Sequence, residues 1–178
     1  MKIIGISGLA RSGKDSFYSL AKKQLKESRE VRRLAFADEL KEECKDFLTR
    51  NIGISPFTEA SEEKKIIRPF LVTYGTHLRR KLNKRCWIEK VEEKLKGLTA
   101  DYVFITDVRY KNEIDWVHEL NGESIHIERK GNVAPNKEEE ENDPFLKTAS
   151  THKVLWENFS EDNMDIMSSH VKRILKKI

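Results

Sequence analysis

The sequence predicts an α/β fold, a three-layer sandwich with helices on both faces of a mostly parallel central sheet. Three observations predict it. Apolar runs of strand length stand at Lys2–Ser7 and Tyr102–Thr106, each without the polar alternation of a half-exposed strand. Segments with helical spacing alternate with such runs along the chain. A short turn bearing Gly8 and Gly13 joins the first run directly to the first helical segment.

Each element follows from local pattern. After the strand over Lys2–Ser7, a helix starts near Lys14, with Phe17, Leu20, Ala21 and Leu25 on one face. Val31–Ala35 reads as a short strand and Asp38–Arg50 as a helix. Asn51–Thr58 carries Gly53 and Pro56 and reads as a loop. Ser61, Glu62 and Glu63 open another helix, which Pro69 splits or kinks. Trp87, Ile88, Val91 and Leu95 mark a helix ending at Gly97. Tyr102–Thr106 is a strand, Ile114 and Val117 mark a helix, and Ser124–Glu128 is a strand. Residues 129–150 are polar, carry Gly131, Pro135 and Pro144, and show no clear periodicity. Val154–Trp156 is a last strand. Ser160, followed by Glu161 and Asp162, caps a final helix striped by Val171, Ile174, Leu175 and Ile178.

Composition narrows the function classes. At 178 residues the chain is one domain, residues 1–178, with no repeat and no linker. Hydrophobic and charged residues, 38% and 36%, describe a globular domain with a strongly solvated surface. The 34 basic residues are interspersed among 30 acidic ones, giving a net charge of +4. That balance suits small phosphates and argues against a nucleic-acid polymer. Cys44 and Cys86 have no paired spacing, which points to a reducing compartment and no thiolate metal site. The apolar run at the N-terminus is too short for a membrane span or signal peptide, so the expected location is cytoplasmic, with no membrane partner.

Residues Gly8-Leu9-Ala10-Arg11-Ser12-Gly13-Lys14 form GxxxxGK between a strand and a helix. Glycines let the backbone turn so that its N–H groups point inward at an anion. The helix start adds its positive dipole end. Lys14 supplies a mobile charge for β- and γ-phosphates. Gly8, Ala10, Arg11, Ser12, Gly13, Lys14, Asp15 and Ser16 are therefore candidates for binding ATP. Asp15 stands where Ser or Thr usually ligates Mg²⁺; a carboxylate can hold the ion directly or through water, or serve only as a cap.

Val103-Phe104-Ile105-Thr106-Asp107 is an apolar strand ending in a carboxylate. Ligands of open α/β sheets bind at carboxyl ends of strands. Asp107 is thus a second Mg²⁺ candidate, and Arg109 can point into the same crevice.

With these motifs in hand, the chain resembles the deoxynucleoside monophosphate kinases of bacteriophages over nearly its whole length. The likeness includes Asp15 after the loop lysine, Phe36-Ala37-Asp38-Glu39-Leu40-Lys41, Gly75-Thr76-His77-Leu78-Arg79-Arg80 followed by Trp87, Asp107-Val108-Arg109 with Asn112-Glu113, and Asn158 after the last strand. It departs at Val72 and Thr73, where that family often has Gln, and over Gly131–Ser150. The resemblance implies a P-loop nucleoside-monophosphate-kinase-like fold. It also implies an acceptor-binding helical region near residues 37–98, a lid near 129–150, and a homodimer.

On that resemblance, Lys14, Arg79, Asp107 and Arg109 are the expected catalytic residues. Asp38, Lys41, Arg68, Gly75, Thr76, Arg80, Trp87, Glu113 and Arg129 are the expected substrate-binding residues. Arginines would neutralise the acceptor phosphate and the transferring group. ATP and Mg²⁺ are the expected cofactors and small nucleotides the partners. Glu138–Glu141 reads as a solvated surface run, and Trp87 more readily as core than as a stacking platform. His77, His126 and His152 show no spacing that implies metal or nucleophilic work. Three other readings stay open: a kinase of another small phosphorylated acceptor, of the dephospho-coenzyme A or phosphomevalonate type; a kinase of modified bases in phage DNA; and a non-catalytic nucleotide-binding module.

Overall fold

The computed structural model describes residues 1–25, 29–157 and 163–178. The expected cap at Ser160–Asp162 and the Asn158 match lie outside the described residues. The elements run β1 (Lys2–Ser7), α1 (Lys14–Leu25), β2 (Val31–Leu34), α2 (Phe36–Ile52), α3 (Ser61–Val72), a π-helical stretch (Thr73–Arg79), α4 (Arg80–Leu82), α5 (Cys86–Lys96), β3 (Tyr102–Val108), α6 (Lys111–Glu119), β4 (Glu123–Arg129), α7 (Lys137–Ala149), β5 (His152–Trp156) and α8 (Met164–Leu175). The chain divides into two compact units, one of residues 1–34 and 98–178, the other of residues 35–97.

The first unit holds a five-stranded parallel sheet in the order β2-β3-β1-β4-β5. Strands buried on both faces need no polar alternation, which is why β1 and β3 are continuous apolar runs. Ile4, Ile6, Phe104, Ile125, Ile127, Val154 and Trp156 face Phe17 and Ala21 of α1 and Met167, Val171 and Ile174 of α8 in one core. Gly5 lies between Ile4 and Ile6 and so faces the other way. A Cβ there would come within 3.0 Å of Val117 on α6, so α6 covers the opposite face. This is the layered α/β sandwich expected from the sequence. Strand β1 is central, with β3 and β4 on either side, so its carboxyl end lies at a topological switch point of the sheet.

The second unit is helical. Cys44, Leu48 and Ile67 are buried with Leu40, Ile54, Phe70, Leu71 and Tyr74 packed on them. Helix α3 continues through Pro69 instead of stopping there, and the backbone widens into the π-helical stretch four residues later. A proline removes one N–H from the helical ladder, and a π-turn is one way a helix absorbs such a defect. The expected helix over 38–50 is longer at both ends, and Gly53 closes it at φ 74°.

The clearest difference from expectation lies in residues 129–150, where the sequence shows no periodicity. Thirteen of them form α7 despite Pro144. The Asn136 side chain accepts the N–H of Glu139 at 2.9 Å and so caps the helix. Among the described residues, no helix is long and apolar enough to cross a membrane.

Candidate active site

The loop between β1 and α1 is shaped by backbone that only certain residues tolerate. Gly8 sits at φ 131° and Gly13 at φ 100°. A Cβ on Gly8 would lie 2.2 Å from the Ile127 carbonyl oxygen, so glycine is required there on both counts. Arg11, at φ 63°, is one of two described non-glycine residues in the left-handed region. The Ser12 N–H donates to the Leu9 carbonyl at 3.1 Å and closes the turn. The Ser12 hydroxyl is fully buried and has no hydrogen-bond partner among the described residues.

Lys14 reaches back across the loop and donates to the carbonyls of Gly8 at 2.7 Å and Leu9 at 2.8 Å. Burial is the largest influence on its ammonium, and the nearby Arg109 guanidinium adds to it; together they push its pKa down to about 8. Glu139, Asp15 and Asp107 pull the other way. These four charged groups therefore lie within electrostatic reach of one lysine. An open cleft of about 340 Å³ is lined by Arg11, Gly13, Lys14, Asp15, Ser16 and Arg129. It can accommodate a polyphosphate beside the helix start.

Residues of the expected lid converge on the same loop. Glu139 Oε2 accepts the Ala10 N–H at 2.8 Å. Its Oε1 accepts Arg109 Nη1 at 3.2 Å. Asn132 Nδ2 donates to the Ala10 carbonyl at 2.9 Å. The Tyr110 hydroxyl donates to Glu138 at 2.7 Å. The expectation of a solvated run at Glu138–Glu141 is thus corrected: Glu140 and Glu141 are exposed, but Glu139 is 9% exposed and Glu138 is half-buried. The motif Asn136-x-x-Glu139 is a capping pattern that a reading for helix starts would catch.

Three of the expected substrate-binding residues, Glu113, Trp87 and Gly75, are instead committed to the fold, Trp87 in the core position its sequence context favours. Glu113 is 1% exposed and spends its carboxylate on its own backbone, accepting the N–H groups of Arg109 at 2.7 Å and Tyr110 at 3.1 Å. It shapes the turn that carries Arg109, so it does not reach a substrate. Trp87 is 2% exposed, and its indole N–H donates to the Gly75 carbonyl at 3.3 Å, which leaves no face for a base. Gly75 is likewise buried; a Cβ there would lie 2.7 Å from Leu40 Cδ2, so its smallness serves helix packing.

The remaining expected residues of the second unit are placed as follows. Arg79 pairs with Glu43 at 2.8 Å and lies over the Trp87 ring. Glu43 also takes the Tyr74 hydroxyl at 2.5 Å and Lys90 at 2.9 Å. Burial opposes ionisation of Glu43, but these donors prevail and hold its pKa below the usual carboxylate value. The Lys41 ammonium lies over the Phe57 ring. Asp38, Thr76 and Arg80 are half-buried, and Arg68 is exposed. Cys44 and Cys86 are buried free thiols, with burial pushing the Cys44 pKa up to about 11, so neither is reactive near neutral pH.

Beneath the loop lies a cluster the sequence does not advertise. His126 is fully buried in β4, with Nδ1 3.0 Å from the Ser7 hydroxyl and Nε2 3.6 Å from Asp143 of α7. Burial pushes its pKa down to about 4, which leaves it neutral.

Among curated proteins none matches the chain. Solved structures that match over nearly the whole chain include shikimate kinase from Bacteroides thetaiotaomicron, at 11% identity, covering 98% of each chain with a TM-score of 0.55. Shikimate kinase from Aquifex aeolicus matches at 13% identity, covering 98% of this chain and 96% of its own, with a TM-score of 0.51. These likenesses show the P-loop kinase fold. The phosphomevalonate kinase family model matches residues 6–123, which take in the phosphate loop, the whole second unit and Asp107 to Glu113. With about two-thirds of its length matched by that model and Lys14 seated in a phosphate loop of the expected shape, the chain belongs to the phosphomevalonate kinase family.

Proposed function

We propose that the chain transfers the γ-phosphoryl group of ATP to the phosphate of a deoxynucleoside monophosphate, giving the diphosphate and ADP. The observation that carries the phosphoryl chemistry is the Ala10 N–H, which points at an anionic oxygen beside a desolvated Lys14 and the Arg109 guanidinium. The nucleotide acceptor is supported by the segments Phe36–Lys41, Gly75–Arg80 and Asp107–Glu113, which resemble those of phage kinases of this class.

The acceptor's phosphate oxygen is already anionic near neutral pH, so it attacks the γ-phosphorus in line without a protein base. Catalysis is then positioning and charge neutralisation. Lys14 and the loop amides hold the transferring group, and Arg109 offsets its negative charge. In this reading Arg79, fixed by Glu43, binds the acceptor phosphate. Asp15 and Asp107 would hold Mg²⁺, which would supply positive charge to offset that of the polyphosphate. Both lie near Lys14, and a Mg²⁺ site that relies on substrate oxygens needs only one or two carboxylates. The segment around α7 excludes water from the transfer.

The family match favours a second reading, in which the acceptor is phosphomevalonate. Both acceptors present a phosphate monoester, so the chemistry is unchanged and only recognition of the rest of the molecule differs. An ADP-release assay over the deoxynucleoside and ribonucleoside monophosphates, 5-phosphomevalonate and dephospho-coenzyme A decides between them. Stimulation by one or more deoxynucleoside monophosphates is expected. Stimulation by phosphomevalonate alone would replace the first reading with the second.

A further inference from the structure

We infer that Glu139 is a built-in occupant of the seat for the donor's terminal phosphate, which ATP must displace and ADP need not. The inference rests on the proposed use of the loop for ATP. One carboxylate bridges a backbone amide, Ala10 N–H at 2.8 Å, and a guanidinium, Arg109 Nη1 at 3.2 Å. That donor pair is what a phosphoryl group needs, and two anions cannot share it.

The position along the loop identifies the phosphate that competes. The helix start and the amides beside it cradle the α- and β-phosphates, while the loop lysine reaches the β- and γ-phosphates. Lys14 bends to the carbonyls of Gly8 and Leu9, at the β1 end of the loop. Ala10 is the next residue, so its amide serves the γ end.

Glu139 arrives there by construction. It is 9% exposed, on the first turn of a helix capped by Asn136. The same segment is tied to the loop by Asn132 on the Ala10 carbonyl and by Glu138 on Tyr110. Entry of a γ-phosphate therefore removes Glu139 from the loop and releases Arg109 toward the transferring group. Part of the binding energy of ATP is spent on this exchange, while ADP leaves Glu139 in place. The carboxylate thus narrows the preference of the free protein for ATP over ADP and couples α7 to the presence of the terminal phosphate.

The test is calorimetric titration of the full chain with a non-hydrolysable ATP analogue and, separately, with ADP, using wild type, Glu139→Ala and Glu139→Gln. The Kd for the analogue is expected to fall about tenfold in Glu139→Ala, the order of one charge-assisted hydrogen-bonded contact. A smaller fall is expected in Glu139→Gln, with the Kd for ADP changing less than about twofold in both. Parallel changes for the two nucleotides, or weaker binding of the analogue, would overturn the inference and leave Glu139 as a brace. If Glu139→Ala fails to melt cooperatively, the isosteric Glu139→Gln is judged by the same criteria. Absence of nucleotide binding by the wild type would overturn this inference and the proposed function together. Selective tightening without any acceptor-stimulated ADP release would sustain Glu139's role and sink only the kinase assignment.

Discussion

The Lys14 ammonium donates to the carbonyl oxygen of Gly8 at 2.7 Å, six residues back along the chain. The lysine is thereby held inside its own loop by backbone, with its charge desolvated. Lys14→Ala is expected to lower kcat on the order of 10²- to 10³-fold, the scale for removing one donor from a developing anion. The fold should persist, because the loss deletes a buried charge along with two hydrogen bonds. A coupled ADP assay with a thermal melt checks both parts, and near-full turnover would refute the loop assignment.

The depressed pKa of Lys14 also predicts a pH profile. As pH rises through about 8, the free protein loses the positive charge that attracts phosphate. The value of kcat/KM for ATP should therefore fall above about pH 8, since that ratio reports groups of the free enzyme. Stability moves in the opposite sense. Between about 8 and 10.5 the unfolded chain binds the proton that the folded chain has released, so Lys14 adds stability as pH rises across that window. An ATP profile flat to pH 9.5 would contradict this.

Gly8→Ala should be the most damaging of the loop substitutions. The new methyl would meet the Ile127 carbonyl at 2.2 Å from a backbone at φ 131°. Steric clash and strain together are expected to cost at least about 2 kcal/mol and to abolish ATP binding. Chemical denaturation and nucleotide titration measure the two effects separately.

His126 makes the protein sensitive to acid. Its folded pKa, about 4, lies below the ordinary 6.5, so the unfolded chain takes up a proton first as pH falls. Stability should drop between about pH 6.5 and 4, by up to roughly 3 kcal/mol from this group. Asp143, whose pKa burial raises, opposes part of the loss at the lower end. Denaturation midpoints of wild type and His126→Asn across that range test the sign; equal slopes would exclude His126 as the cause.

Glu43 collects Tyr74, Arg79 and Lys90 on one carboxylate. Glu43→Gln should cost about 1–2 kcal/mol through weakened charge-assisted bonds. In the proposed reaction it should raise KM for the acceptor more than KM for ATP, because it frees Arg79. Equal changes in both constants would assign Glu43 to folding alone.

The amino-acid sequence by itself determined the parallel α/β class, the phosphate loop and the carboxylate at the end of β3. These features are local. An apolar run of strand length, a glycine needed for φ 131° at Gly8 and a lysine at the first helical position are each written within a few neighbouring residues. Tertiary structure decided what the polar residues do. Glu113, Glu139 and Glu43 are alike as letters, yet one caps its own turn, one sits on the loop 129 residues away and one gathers three donors. Likewise His126 is buried with its ring against the hydroxyl of Ser7, 119 residues away. A charged side chain's role depends on which donors folding brings within about 3 Å, and one-dimensional spacing holds no record of a contact between residues 10 and 139.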